Sequence, residues 1–128
     1  MKSWPQRICT LTLVAILVAC AGAQPSHKVF RLPSGKEIKL LGVGQIHFTE
    51  GEPALMLKYQ TELHVDDKPA LQHEIDEIWP RFKQDVENAH LSAAIISANE
   101  PPIGGFISTN RSFNFVFEKA ADGTWVQK

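Results

Sequence analysis

The chain has 128 residues, 44% of them hydrophobic and 21% charged, the makeup of a single globular domain rather than of a disordered or fibrous chain. Lys2 and Arg7 account for two of the thirteen Lys and Arg, so residues 21–128 hold eleven against fourteen Asp and Glu. That slightly acidic balance gives no electrostatic reason for binding to nucleic acid or to an anionic lipid surface, both of which depend on clustered basic charge.

The chain opens with MKSWPQR, which carries Lys2 and Arg7, followed by an uncharged run over residues 8–18. This is the order of a secretory leader. Eleven residues fall well short of the ~20 that a membrane-crossing helix requires. Both cysteines, Cys9 and Cys20, lie in or just after this run, so the expected domain contains neither a disulfide nor a thiol nucleophile.

Leu17-Val18-Ala19-Cys20 resembles the lipobox of bacterial lipoprotein signal peptides, in which an aliphatic residue, two small or apolar residues and the modified cysteine follow the apolar run. The resemblance implies removal of residues 1–19. Cys20 would become the mature N-terminus, bearing a thioether-linked diacylglycerol and an N-acyl chain. It also implies export and anchoring that faces the periplasm, at the outer membrane of a Gram-negative cell because Ala21 rather than Asp follows the cysteine. Several acyl chains hold firmly where a single one binds only marginally. Ala21-Gly22-Ala23 is also a well-formed A-x-A site, and cleavage there would release a soluble secreted protein beginning at Gln24.

Residues 20–27 form a short tether, reaching about 25 Å at ~3.5 Å per residue, and residues 28–128 form one α+β domain. Residues 28–32 and 38–48 are β-prone runs joined by the turn residues Pro33-Ser34-Gly35-Lys36, a hairpin signature. In residues 54–63, Leu55, Leu57, Tyr59, Thr61 and Leu63 alternate with Met56, Lys58, Gln60 and Glu62, the period of a strand with one wet face. Asp67 is placed to cap a helix over residues 70–89. There Leu71, Ile75, Ile78, Trp79, Phe82, Val86 and Ala89 share about 100° of the helical wheel. Pro80 points away from that stripe, which predicts a kink convex to solvent. A buried strand over residues 91–98, a long loop over 99–110, a strand carrying Phe113, Phe115 and Phe117, and a short last strand over 124–127 complete the chain. Gly42 and Gly44 share the parity of Ile38, Leu40 and Ile46, which predicts a bend or a close helix approach. The expected architecture is an antiparallel sheet of four to six strands with one long kinked helix on one face, in the order βββ-α-βββ.

Chemical motifs are sparse. His27, His47, His64, His73 and His90 form no H-x₃-H or H-E-x-x-H pair. His64 with Asp66 and Asp67 is the densest local cluster, suited to a binding site or to ordinary turn and cap formation. Glu74, Asp76, Glu77, Asp85 and Glu87 could supply an acid/base pair of the glycosidase kind. Their simpler role is a solvated helix face with a Glu77–Arg81 pair. No G-x-S-x-G elbow, dinucleotide fingerprint or P-loop occurs, so no catalytic residue, metal or cofactor is expected.

The loop PPIGGFISTN, residues 101–110, places Ile103, Phe106 and Ile107 where a solvent loop favours polar side chains. Such residues either fold back onto the core or stay exposed as a partner anchor. The expected protein is a small lipid-anchored module of the cell envelope. It would meet the membrane through Cys20 and a protein partner by surface contact, as a binding, inhibitor or accessory protein. A carrier of a small apolar ligand between helix and sheet is the alternative, and a hydrolase using His64 or the helix carboxylates is a third.

Overall fold

The structure, a computed structural model, describes residues 28–106 and 109–128. The expected leader, the tether with Cys20, and Ile107 lie outside the described residues. Six strands and one helix follow in chain order: β1 (Lys28–Arg31), β2 (Glu37–Ile46), β3 (Ala54–Gln60), α1 (Lys68–Asn88), β4 (Ala93–Asn99), β5 (Ser112–Lys119) and β6 (Trp125–Gln127). The class is α+β, and the strands stand side by side in sequence order in one sheet. No helix among the described residues is long and apolar enough to cross a membrane.

The sheet is mixed, which corrects the antiparallel expectation: β3 and β4 run parallel at its centre, and every other neighbouring pair is antiparallel. The 21 residues of α1 cover about 31 Å, more than the roughly 23 Å spanned by seven strand residues. The helix therefore returns the chain past the start of β3, and β4 sets out in the same direction.

α1 is one continuous helix of 21 residues through Pro80 rather than the long kinked helix expected. Proline cannot donate to the carbonyl of Asp76, but both residues are exposed, so water can take the freed oxygen. The helix begins at Lys68, two residues earlier than expected, with Asp67 Oδ1 accepting from the Ala70 amide at 3.3 Å and Pro69 in the first turn. At its other end His90 takes the left-handed conformation with φ 59°. The Leu91 amide donates to Val86 O and the His90 amide to Glu87 O, the Schellman arrangement usually built on glycine.

Register sorts the side chains onto two faces. Leu55–Ala94–Phe117, Leu57–Ile96–Phe115 and Tyr59–Ala98–Phe113 form rows beneath α1, while Met56–Ile95–Val116 and Lys58–Ser97–Asn114 lie on the opposite face. The core joins the first set to Leu71, Ile75, Ile78, Phe82 and Val86. Trp79 stacks on Phe117 with ring centres 3.9 Å apart, and Phe113 is the outlying member of its aromatic stripe, partly exposed.

A bulge between Leu40 and Gly42 reverses the parity of β2, so that Val43 rather than Gly42 lies opposite Leu57. Gly42 and Gly44 consequently face open space, with nothing within 4 Å of where a Cβ would stand, and no close helix approach occurs there. An extra residue in one strand turns every later side chain to the other face.

Candidate functional site

Because β3 and β4 are parallel, the connections that leave their C-terminal ends emerge on the same side of the sheet. One holds His64, Asp66 and Asp67; the other is the 100–111 loop. An antiparallel pair would have sent them to opposite ends.

The described residues of this loop pair as a short β-ribbon. The Glu100 amide donates to Arg111 O at 2.8 Å, and Ile103 and Thr109 exchange reciprocal backbone hydrogen bonds at 2.9 and 3.0 Å. Pro101 and Pro102 restrict the outgoing strand, and Gly104 takes φ 118° at the tip, a conformation that favours glycine. Ile103 is 73% exposed and Phe106 wholly so. Phe106 does not fold back onto the core.

The base of this ribbon is braced against the β3–α1 connection. Glu100 is buried, and its Oε1 accepts from the Val65 amide at 3.2 Å and lies 3.1 Å from His64 Nδ1. Arg111 donates to Asp66 Oδ1 at 2.6 Å, with its Nε 3.9 Å from Glu100 Oε2. Lys68 Nζ donates to Val65 O at 2.6 Å and sits 3.3 Å from the centre of the Phe113 ring, covering that half-exposed aromatic. His64 and Asp66 thus brace the ribbon, while Asp67 is committed to capping α1. With Nδ1 protonated, His64 donates to Glu100 and turns Nε2 to solvent. Glu100 and Arg111, which complete the brace, went unnoticed in the sequence, although they bracket the loop as an acid and a base. Among the described residues no three His, Cys, Asp or Glu side chains converge as a metal site would require.

The hydrogen bond from Arg111, and then its charge, hold the Asp66 carboxyl below the usual carboxylate range. A carboxyl depressed in the folded state stabilises above its unfolded pKa, and that contribution fades as pH falls through the lower folded value. In Arg111→Ala the Asp66 titration midpoint, followed by NMR, is expected to rise to the ordinary carboxylate range. An unmoved midpoint would show that the brace does not exist in solution.

A second polar group lies beneath α1. Glu74, expected on a solvated face, is instead buried, and Lys36 Nζ donates to its Oε2 at 2.6 Å. Burial, and then the charge of Glu74, push the Tyr59 hydroxyl far above the usual phenol range, so it stays protonated. Among the described residues, neither Tyr59 Oη nor Glu74 Oε1 completes a hydrogen bond of ordinary geometry. Glu77 does not pair with Arg81: its Oε2 accepts from Ser34 Oγ at 2.8 Å and its Oε1 lies 3.7 Å from His73 Nδ1.

What this arrangement can do follows from its geometry: it holds two apolar side chains out in solvent on a loop hydrogen-bonded across its base. The chain matches no protein-family model, no curated protein and no solved structure.

Proposed function

We propose that this protein is a small lipid-anchored component of a bacterial cell envelope that works as a binding, inhibitor or accessory module by surface contact. One observation carries the reading: Phe106 is fully exposed, beside an exposed Ile103, on a ribbon tied at its base by Glu100, Arg111, Asp66 and His64. Exposing a phenylalanine and an isoleucine forgoes their burial, roughly 1.5–3 kcal/mol each. A partner surface recovers it. Apolar anchors on a preorganised loop are the usual energetic centre of a contact surface, since little conformational freedom is lost on docking. The lipobox-like Leu17-Val18-Ala19-Cys20 supports a membrane location, with the partner in or near the same membrane.

The test places a photo-crosslinking residue at position 106 of the full chain in growing cells. A crosslinked adduct of one discrete mass is expected, lost in Ile103→Ser. Cys20→Ser is expected to move the protein out of the membrane fraction. Crosslinking only to a spread of abundant proteins would overturn the contact reading, and a wild-type mature mass beginning at unmodified Gln24 would overturn the anchor.

A further inference from the structure

Between α1 and the β1–β2 hairpin lies an open cleft of about 320 Å³, at the small end of ligand pockets, which run from roughly 300 to 1,000 Å³. One local feature shapes it: the bulge after Leu40 turns Val43 back over the helix side, opposite Leu57.

The floor is made by the core residues Leu57, Ile78 and Phe82, and the walls by Phe30, Leu40 and Val43, which are only partly covered. Lys28, Arg81 and Asp85 stand at the cleft as its charged residues. The Arg81 guanidinium lies 4.4 Å from the centre of the Phe30 ring. Among the described residues neither Lys28 nor Arg81 takes part in an ion pair. An apolar slot reaching the core, with two cations against one carboxylate at its opening, matches one class of ligand by shape and charge.

We infer that this cleft binds a small single-chain amphiphile, its hydrocarbon chain between α1 and β2 and its anionic head beside Lys28 and Arg81. The site is separate from the hairpin tip and does not depend on it. Hydrocarbon burial supplies the affinity and the cations supply the orientation, because a carboxylate or phosphate head gains an unpaired guanidinium without leaving water.

The experiment uses the purified full-length protein and decanoate below its micelle concentration, read by NMR cross-relaxation from the acyl protons to the methyl groups of Leu40, Val43, Leu57 and Ile78. Saturable binding with those contacts is expected. Octanoate, two methylenes shorter, should bind roughly ten-fold more weakly. Val43→Trp, a change at a half-exposed residue, should close the slot and abolish the contacts. Arg81→Glu should weaken decanoate about ten-fold while leaving uncharged decanol unchanged. Decanoate contacts confined to other surfaces, or undiminished in Val43→Trp, would overturn the site. Equal loss of decanol and decanoate in Arg81→Glu would overturn the assigned head group. Cross-relaxation from the same methyls to residues 24–27 of the chain itself would mean that the cleft is filled internally, which also overturns the proposal.

Discussion

Phe82→Ala is expected to lower stability by about 3–5 kcal/mol, the cost of truncating a buried aromatic. Phe82 lies on the buried stripe of α1 with 2% of its surface exposed, next to Trp79 at a ring separation of 6.3 Å. Trp79 in turn stacks on Phe117 of the sheet, so the cavity would open where helix and sheet are joined. A domain of this size holds only ~5–10 kcal/mol in reserve, and its melting temperature should fall on the order of 15 °C or more. The matched control is Phe106→Ala, which removes the same side chain from full solvent exposure and should leave stability within about 0.5 kcal/mol. Equal melting shifts in the two variants would show that the helix-on-sheet core has been assigned to the wrong residues.

The next largest effect is expected at Lys36. Among the described residues its ammonium is the one cation bonded to Glu74, whose side chain is 2% exposed while that of Lys36 is 38% exposed. Removing one member of a buried pair leaves the other desolvated and uncompensated, typically at 3–5 kcal/mol. The partial exposure of Lys36 brings the expectation for Lys36→Met down to about 2–3 kcal/mol. Adding Glu74→Leu to that variant removes the stranded charge and should restore most of the loss, because an ion pair replaced whole by apolar side chains is often near neutral. Urea unfolding of the two single variants and the double variant measures the coupling. If Lys36→Met alone were within 0.5 kcal/mol of the parent, Glu74 would have to be solvated rather than buried.

The helix was legible because Leu71, Ile75, Ile78, Phe82 and Val86 repeat at its period, and the strands because Leu55, Leu57 and Tyr59 alternate; all eight belong to the core except the half-covered Leu55, which packs against it. Two kinds of information were not local. The direction of β4 relative to β3 depends on where a helix of given length ends, and the parity of β2 on a single unpaired residue at Leu41. Neither leaves a mark in hydrophobic periodicity. Glu74 is a different case, since it stands three residues after Leu71 and four before Ile78, inside the apolar stripe. Reading it by charge rather than by position concealed its burial.

At the site, the apolar loop residues Ile103 and Phe106 stood out from sequence, as did the cluster around His64. Their meeting did not. It requires the parallel seam at the centre of the sheet, which brings Asp66 and Arg111 together across 45 positions of sequence.

That seam also divides the chain by distance along it. β1 to β3 and β4 to β6 are each runs of antiparallel neighbours whose pairings close over short stretches of chain. Leu55 and Ala94 are paired across the seam but stand 39 positions apart. The entropy of closing a loop grows with its length, and contact order sets folding speed. The search expected to limit folding is therefore the docking of two local meanders along β3 and β4. α1, which spans the gap between them, shortens that search by stiffening most of the intervening chain.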